Sequence, residues 1–365
     1  MPVPTLIFEA ELDAYDVDPG VAAAVAGFRL PERLGFGQIS APVMFDAEWR
    51  DGAWERGRLL PYGPIQVWPG SRALQYAELV FEGLKAYRVG RDRPNLFRAD
   101  ANCRRLARSA ARLSMPAVPE ALFFQGLRAV VQACSPVMPT KSGRSLYLRP
   151  FLYGTESGYM LRNSHTFRFM VIANPVEAYA SGAMEVAIER ADVRAAAGGI
   201  GEAKASANYA ASLRASTAAV VSGRTIALWL DGSEHRYLQE LSGMNIFAVM
   251  DGEVHTPELD GAILPGVTRD SLLELAPSLG YRVHERRIAL DEVLDGIASG
   301  RCSELFACGT AAIVAPIAVL VEADGREYRL REQDVVAKHL RESLLAIQER
   351  RAPDPFGWTQ ELTFD

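Results

Sequence analysis

The chain has 365 residues, 49% of them hydrophobic, with a formal net charge of −6 at pH 7 and an isoelectric point near 5.6. This length allows two packed domains with a substantial core, and the acidic balance excludes a basic surface for nucleic acid or for an acidic membrane. The sequence has no apolar run as long as a membrane span, and its acidic start does not resemble a signal or transit peptide. We therefore expect a soluble cytoplasmic protein without nucleic-acid or membrane partners.

The first half of the chain alternates strand-like and helix-like segments. "LVFEGLKAYRV" is predicted to be a strand or strand-turn, and "RADANCRRLARSAARLSM" a helix that ends before Pro116. "EALFFQGLRAVVQACS" predicts a second helix. "SLYLRPFLYG" alternates as a strand as far as Pro150, and "TFRFMVIANP" predicts a strand that ends at Pro175.

A proline- and glycine-bounded stretch, "NPVEAYASG" at residues 174–182, is predicted to link two domains. We expect a smaller N-terminal domain over residues 1–173 and a larger C-terminal domain over residues 183–365. The second part restarts with the strand "MEVAIE" and includes a hairpin around the Asp-Gly of "MNIFAVMDGEVHTP". Because helices and hairpins alternate without regular βαβ units, we predict an α+β fold with mixed sheets.

The four cysteines and five histidines show no metal-site pattern. The cysteines lack the CxxC spacing of zinc and thioredoxin-like sites, and the histidines do not cluster at ligand spacing. We expect no metal site, and buried, reduced thiols at Cys103, Cys134 and Cys302. The fourth cysteine, Cys308, lies in a segment discussed below.

One lysine lies in a loop of small residues. The chain has 35 arginines and only four lysines, and Lys204 falls within "GGIGEAKASANY" at residues 198–209. Small neighbours let the backbone approach a ligand closely, and lysine, unlike arginine, can lose its proton and form a Schiff base. Taken alone, the pattern also fits a surface loop. We interpret Lys85, the other candidate, as a surface lysine.

Two further segments have the features of anion sites. "LPGVTRD" leads into a predicted helix whose first N–H groups, from Val267 and Thr268, can hold a phosphate. "ACGTAA" at residues 307–312 is a small-residue turn whose amides can receive an anion. An ordinary helix start and an ordinary hairpin turn are the plain alternatives. Together with Lys204, the two segments indicate a phosphate-bearing cofactor that forms a Schiff base.

Seven segments, in this order along the chain, carry a resemblance to a known family: "FEGLKAYR", "NLFRADANCRRLARSAARLSMP", "SLYLRPFLYGTES", "GGIGEAKASANYAASL", "LQELSGMNIFAV", "LDGAILPGVTRDSLLELA" and "ELFACGTAAIVAPI". Their order resembles that of branched-chain amino acid aminotransferases, which are pyridoxal-phosphate (PLP) enzymes of fold type IV. The resemblance runs from about Phe36 to the C-terminal helix. It implies transamination of leucine, isoleucine and valine with 2-oxoglutarate by a homodimer in which both subunits help to form each site.

The resemblance assigns one group of residues to PLP. Lys204 holds the cofactor covalently and moves the substrate proton, while Glu240 keeps the pyridine nitrogen protonated by charge proximity. Arg105 supplies a guanidinium fork to the phosphate, and Tyr209 contacts the phenolate oxygen. The residues assigned to the cofactor are Lys204, Arg105, Tyr209, Glu240, Val267, Thr268 and Thr310.

A second group is assigned to the amino acid substrate. The resemblance gives the pocket an aromatic wall and gives the α-carboxylate the amides of Thr310 and Ala311. Arg149, two residues after Tyr147 and so on the same strand face, matches the arginine that recognises the side-chain carboxylate of glutamate. Phe36 and Phe81 also fit as plain core aromatics. The residues assigned to the substrate are Phe36, Tyr76, Phe81, Tyr147, Arg149, Thr310 and Ala311.

Two departures from the family pattern leave alternatives open. Ser206 and Ala207 stand where the family has two glycines after the lysine, and Cys308 stands where it has a serine. A specialised biosynthetic aminotransferase with another hydrophobic amino donor therefore remains an alternative. A fold-IV D-amino-acid transaminase or lyase is a further alternative, against which the pair Tyr147 and Arg149 argues. A relative that has lost catalysis is disfavoured by the retained cofactor residues.

Overall fold

A computed structural model describes residues 14–177, 182–331 and 334–364 of the chain. These residues divide into two compact units. The first unit holds residues 14–177, 348–350 and 354–364, and the second holds residues 182–347 and 351–353, apart from 332–333.

The first unit contains both helices and strands. Its helices are α1 (Val21–Gly27), α2 (Arg72–Tyr76), α3 (Ala99–Arg112) and α4 (Glu120–Cys134), followed by a 3₁₀ turn (Ser135–Val137). Its strands are β1 (Asp16–Val17), β2 (Val43–Arg50), β3 (Ala53–Trp54), β4 (Arg58–Pro61), β5 (Leu79–Phe81), β6 (Leu84–Tyr87), β7 (Asn95–Phe97), β8 (Ser145–Gly154), β9 (Phe167–Val176) and β19 (Thr359–Glu361).

The strands of the first unit form one largely antiparallel sheet. Their order is β1-β4-β2-β9-β8-β6-β7-β19, with β3 beside β2 and β5 beside β8. The long strands β8 and β9 pair from Ser145 opposite Val176 to Gly154 opposite Phe167. Helix α4 packs against β2, β8 and β9 and buries side chains such as Phe123 in the core.

The expectation that the β8 strand ends at Pro150 is wrong. The strand continues to Gly154, and Pro150 lies opposite Val171 in the ladder with β9. The carbonyl of Pro150 accepts the backbone N–H of Glu82 at 2.7 Å. The missing N–H of the proline therefore faces the break between β5 and β6, where the ladder needs no donor.

The expected domain bounds also need correction at two places. Residues 174–176, expected in the linker, belong to β9, and residues 178–181 lie outside the described residues. Residues 354–364, expected in the C-terminal domain, belong to the first unit. The reason is that β19 pairs with β7, and the ring of Trp358 packs edge-on against Phe97 with centroids 5.7 Å apart.

The second unit has four helices and nine strands among its described residues. The helices are α5 (Ser206–Val221), α6 (Val267–Ser278), α7 (Leu290–Ser299) and α8 (Val335–Gln348). The strands are β10 (Met184–Glu189), β11 (Ile226–Leu230), β12 (Leu238–Leu241), β13 (Met244–Met250), β14 (Glu253–Pro257), β15 (Val283–Arg286), β16 (Cys302–Gly309), β17 (Ile313–Val321) and β18 (Glu327–Arg329).

Six strands of the second unit close into a ring. The sheet order is β12-β11-β10-β17-β16-β13-β14-β15, and β12 also pairs with β13. Parallel pairs, such as β10 with β11, occur beside antiparallel ones. The strands of the ring bury a continuous apolar core that includes Val186, Leu228 and Ile246. This arrangement confirms the predicted α+β class with mixed sheets.

Most locally predicted elements are confirmed. The two amphipathic segments of the first unit form α3 and α4, and the Asp-Gly hairpin joins β13 to β14. Both turn residues, Asp251 and Gly252, have positive φ angles of 51° and 80°, as a tight hairpin turn requires. No helix in the described ranges combines the length and the apolar character needed to cross a membrane.

Glu304 joins a helix to the ring. Its two carboxylate oxygens accept the backbone N–H groups of Val336 and Ala337, in the first turn of α8, at 3.0 and 2.9 Å. Glu304 is only 4% exposed, so the contact has little competition from water.

We predict that Glu304→Ala lowers the free energy of unfolding by about 1.5–3 kcal/mol, because two buried N–H groups lose a charged acceptor. Urea unfolding measures this loss, and Glu304→Gln, which keeps one acceptor oxygen, should lose less. Glu342→Ala, on the same helix α8 but away from its first turn, is the control. Equal losses in Glu304→Ala and Glu342→Ala would contradict the capping role.

Candidate active site

The loop that carries Lys204 is held in place by its own backbone and by α5. Lys204 lies two residues before the first residue of α5. The side-chain amide of Asn208, in the first turn of that helix, donates to the carbonyls of Ile200 and Ala203, both at 2.8 Å. The small residues therefore form a fixed turn around the lysine.

Gly201 is required by close packing in this loop. A Cβ atom on Gly201 would lie 2.2 Å from the carbonyl oxygen of Ala262 and 2.6 Å from the side chain of Ala195. No real Cβ atom fits at such distances, so a larger residue would displace the backbone. The glycine thus allows the lysine loop to pack against the segment that leads to α6.

Lys204 and Tyr209 are direct neighbours. The Nζ atom of Lys204 lies 3.0 Å from the hydroxyl oxygen of Tyr209 and 5.7 Å from the centroid of its ring. Lys204 is half-buried. The hydroxyl therefore fixes the position of the amine while leaving the lysine accessible from one side.

Glu240 is a buried carboxylate where the ring closes. It lies on β12, opposite Asn245 of β13, and is only 3% exposed. One carboxylate oxygen accepts the Asn245 amide at 3.3 Å and the Leu264 backbone N–H at 3.1 Å. Burial raises the pKa of Glu240 to about 7, against the opposing charges of Arg194 and Lys204.

These groups line one cavity within the second unit, with a volume of about 20 Å³. The lysine amine, the tyrosine phenol and the buried carboxylate are its reactive groups, and glycines form part of its wall. The lining residues are Arg194, Gly201, Ala203, Lys204, Asn208, Tyr209, Ser212, Glu240, Gly243 and Leu264. Of the predicted cofactor residues, the structure thus brings Lys204, Tyr209 and Glu240 together.

The predicted anion sites of the second unit lie outside this lining set. Val267 and Thr268 are the first two residues of α6, as predicted, and the helix has no side-chain cap at Gly266. Thr310 and Ala311 form the turn between β16 and β17 and are half-buried. Both segments have the backbone geometry that was predicted for them, and their contact with an anion stays a prediction.

The predicted substrate residues of the first unit form one cluster, except for Tyr76. Arg149 donates to the hydroxyl of Tyr147 at 3.1 Å, and its guanidinium lies 4.5 Å from the ring centroid of Phe81. The rings of Phe36 and Tyr147 pack edge to face at 5.1 Å. The prediction that Tyr147 and Arg149 share a strand face is confirmed.

Arg149 retains donor capacity inside this cluster. Its Nε atom is buried and has no hydrogen-bond partner among the described residues. Gly83 packs against the hydroxyl of Tyr147, since a Cβ on Gly83 would lie 2.0 Å from that oxygen. The aromatic wall therefore holds the guanidinium in place.

Tyr76 lies on a different, exposed surface. It is 43% exposed, and its hydroxyl donates to the carbonyl of Tyr159 at 2.7 Å. The carbonyl of the next residue, Met160, accepts a hydrogen bond from the buried Arg72. Tyr159, Met160 and Leu161 are 75%, 71% and 91% exposed, so this firmly held loop presents three apolar side chains.

Arg105 is buried and paired with a carboxylate. Its Nε and Nη2 atoms donate to the two oxygens of Glu82 at 2.7 and 2.8 Å, and Asn102 donates to the same carboxylate at 2.7 Å. Its neighbours on α3, Arg104 and Arg108, are exposed. The bidentate pair fixes the orientation of the Arg105 guanidinium.

The interpretation of Lys85 as a surface lysine is wrong. Lys85 is 5% exposed and lies opposite Tyr147 in the pairing of β6 with β8. Because β6 lies between β8 and β7, every residue of this strand is buried. The local sequence has mixed polarity, and only the sheet order shows that the strand is interior.

Comparisons with known proteins show the family to which the chain belongs. Residues 79–320 match the model of the amino-transferase class IV family. The branched-chain-amino-acid aminotransferase of Mycobacterium tuberculosis (strain ATCC 25618 / H37Rv) is 42% identical over 90% of this chain and 92% of its own. The branched-chain-amino-acid transaminase 1 of Bacillus subtilis (strain 168) is 40% identical over 91% and 95%. The chain belongs to the branched-chain amino acid aminotransferases of class IV.

Solved structures of other branched-chain aminotransferases have the same fold. The enzyme of Thermoproteus uzoniensis with norvaline superposes with a TM-score of 0.72 at 26% identity, covering 86% of this chain and 98% of that one. The enzyme of T.th. complexed with N-(5'-phosphopyridoxyl)-L-glutamate has a TM-score of 0.71 at 29% identity, covering 88% and 99%. The predicted type IV fold is thereby confirmed.

Sequence reasoning missed Arg194 in this aminotransferase. Its Nε atom lies 3.0 Å from a carboxylate oxygen of Glu240, and both side chains are buried. A buried carboxylate requires a nearby cation or hydrogen-bond donors, which was the one usable signal. With 35 arginines in the chain, that signal does not single out Arg194.

The cysteines of the aminotransferase are all buried free thiols, as expected for three of them. Cys308, where the family has a serine, is fully buried on β16 opposite Asn245 of β13. Burial raises the pKa of the Cys308 thiol well above its usual range. Cys308 is therefore a packed, protonated side chain with the chemistry of a small apolar residue.

Proposed function

We propose that this protein transfers the amino group of leucine, isoleucine or valine to 2-oxoglutarate, giving branched 2-oxo acids and L-glutamate. The observation that carries the proposal is the cavity shared by Lys204, Tyr209 and Glu240. Membership of the branched-chain aminotransferases supports the reaction class, and the glutamate adduct in the T.th. structure supports glutamate as one partner.

The side chains that line this cavity have the chemistry that pyridoxal 5'-phosphate requires, and we assign the cofactor to them. When bound, PLP withdraws the electrons that remain when the amino acid loses its Cα proton. Lys204 supplies the only amine among the lining residues, and Tyr209 holds that amine at 3.0 Å. The buried Glu240 supplies the carboxylate for a protonated ring nitrogen, because a charge pair is strong where water is excluded.

The phosphate end of the cofactor is assigned to backbone and guanidinium donors. The first N–H groups of α6, from Val267 and Thr268, lack a side-chain cap at Gly266 and suit an anion. Thr310 adds a hydroxyl, and Glu82 orients the Arg105 guanidinium. These four roles follow from the family resemblance. The paired guanidinium of Arg105 and the helix start at Val267 and Thr268 support three of them.

The residues that the resemblance assigns to the amino acid substrate have side chains and amides of matching chemistry. Phe36, Phe81 and Tyr147 suit a branched apolar side chain, and the buried Nε of Arg149 suits the second carboxylate of glutamate. The amides of Thr310 and Ala311 suit the α-carboxylate that all these substrates share.

We further propose that the protein is a cytoplasmic homodimer. Tyr76 is assigned to substrate only through the resemblance, and it lies on the exposed loop surface with Tyr159, Met160 and Leu161. A firmly held group of exposed apolar side chains is typical of a protein interface. Four buried free thiols fit a reducing compartment, and cell fractionation tests the location.

We predict that Lys204→Ala removes the visible absorbance band of the covalent adduct between the protein and added PLP. The same substitution lowers kcat by roughly 10²–10⁴-fold or more, because the residue that carries the substrate proton is lost. Absorbance spectra and steady-state assays with leucine measure the two effects. Lys338→Ala removes an exposed lysine and should change neither. A colourless wild-type protein that binds no PLP would refute the proposed function.

We predict that Arg149→Met lowers kcat/KM for glutamate by about 10- to 100-fold, because a charged hydrogen bond is lost, and lowers kcat/KM for leucine much less. Methionine retains the packing of the arginine stem against Phe81. A panel of L- and D-amino donors measures both effects, with the exposed Arg104→Met as control. Equal losses for both donors would contradict the role of Arg149, and activity with D-amino acids alone would contradict the branched-chain assignment.

We predict that the double variant Met160→Asp/Leu161→Asp converts the dimer to monomer, because charges at an apolar interface lose their solvation on association. Sedimentation equilibrium measures the mass. Leu30→Asp, at another exposed apolar position, should remain dimeric. A monomeric wild-type protein would refute the proposed dimer. A double variant that remains dimeric would show that the dimer interface does not include Met160 and Leu161.

A further inference from the structure

Arg194 contacts three segments that carry the proposed cofactor residues. Its Nη2 atom donates to the carbonyl of Gly201, in the lysine loop, at 3.3 Å and to the carbonyl of Ala262, in the segment that leads to α6. Its Nε atom lies 3.0 Å from a carboxylate oxygen of Glu240 on β12. Arg194 is 8% exposed, so these contacts replace its hydration.

Only an arginine can make this set of contacts. The guanidinium is planar and carries five N–H groups in a fixed arrangement, whereas a lysine ammonium is a single point of charge. The Nε–H of Arg194 makes no hydrogen bond within the described ranges, so its contact with Glu240 is an ion pair and not a hydrogen bond. The directional bonds go to the two carbonyls, and the charge goes to the carboxylate.

Several other groups face Glu240. Lys204 adds a second positive charge, Asp260 adds a negative one, and the protonated thiol of Cys308 lies near the carboxylate. Asp260 itself accepts the backbone N–H groups of Ala262 and Ile263 at 2.8 and 3.1 Å. Arg194 is the fully charged partner that lies within ion-pair distance of the carboxylate.

We propose that Arg194 is a positioning residue of this aminotransferase, which locks the lysine loop to the α6 segment and keeps Glu240 ionised. The proposal rests on the proposed function, because it gives Glu240 and Lys204 their roles toward PLP. It assigns Arg194 no contact with substrate or cofactor. Arg194 acts through the two carbonyls and the carboxylate.

Removing Arg194 has two separable effects. The carbonyls of Gly201 and Ala262 lose a donor, and this loss is the same at every pH. Glu240 loses its cation, so its pKa rises further above the value of about 7 that burial gives it. Because the pKa of Glu240 is higher in the folded protein than in the unfolded chain, its stabilising contribution is complete at pH values below the unfolded pKa. This contribution is lost as the pH rises through the folded pKa.

The first experiment measures melting temperatures of the PLP-free protein between about pH 5 and pH 9. We expect the melting temperature of Arg194→Met to fall further below that of the wild type as pH rises. In the Glu240→Gln background, Arg194→Met should lower the melting temperature by the same amount at every pH, because no carboxylate remains at position 240 to ionise. Arg190→Met, which removes an exposed ion pair with Glu322 at the end of β10, is the matched control and should show neither effect.

The second experiment uses Arg194→Lys, which also covers the case in which Arg194→Met does not fold. Lysine restores the charge without the planar fork. We expect that Arg194→Lys does not show the pH-dependent fall in melting temperature. It should still show the fall that is the same at every pH. Equilibrium titration with PLP, followed by absorbance, should show binding about tenfold weaker than in the wild type.

The outcomes separate this inference from the proposed function. If the wild type binds PLP and transaminates leucine, but Arg194→Met loses the same stability at every pH, Arg194 is only structural and the inference is wrong. An unchanged pH-dependent loss in the Glu240→Gln background would also overturn it. If the wild type neither binds PLP nor transaminates, the proposed function fails, whatever the pH profile of the variants.

Discussion

The burial of one carboxylate, that of Glu240, is the constraint on which the catalytic half of this protein depends. The carboxylate is taken out of water where β12 pairs with β11 and with β13 to close the ring. A charge in that position is costly unless other groups compensate it. Asn245 and the N–H of Leu264 supply hydrogen bonds, and Arg194 supplies the opposite charge. The closed sheet therefore determines which other segments must meet at this point.

The same constraint accounts for the architecture of the lysine loop. Arg194 can reach Glu240 only if the loop after β10 returns to the ring, and this return brings Gly201 against the backbone at Ala262. The helix α5 then starts two residues after Lys204, with Asn208 bonded back into the loop. In the first unit, a strand and not a loop positions the guanidinium of Arg149. Residues two apart on β8 lie on one face of the strand, and this face holds the Tyr147 hydroxyl against Arg149.

Local sequence patterns and the family resemblance together predicted many of the secondary-structure elements and part of the candidate site. Helical periodicity located α3 and α4, the Asp-Gly pair located the hairpin, and the order of seven segments indicated Lys204, Tyr209 and Glu240, which the structure places around one cavity. The failures share a cause, which is pairing between distant segments. β8 passes Pro150 because the strands on one side of it, β5 and β6, are interrupted there. Lys85 is buried because β6 is interior, and residues 359–361 join the first sheet because β7 has a free edge for them. Arg194 was missed for the same reason, since two of its partners, the Ala262 carbonyl and the Glu240 carboxylate, are distant in sequence.

The close packing at Gly201 also bears on how this site can change during evolution or in a selection experiment. A position where any Cβ meets a backbone carbonyl at 2.2 Å admits one residue type only, so variation there ends in a displaced lysine. Ser206 and Ala207, at the start of α5, are half-buried, and each already carries a side chain where the family has glycine. Libraries that aim to alter the substrate range of this scaffold therefore have more freedom at Ser206 and Ala207 than at Gly201.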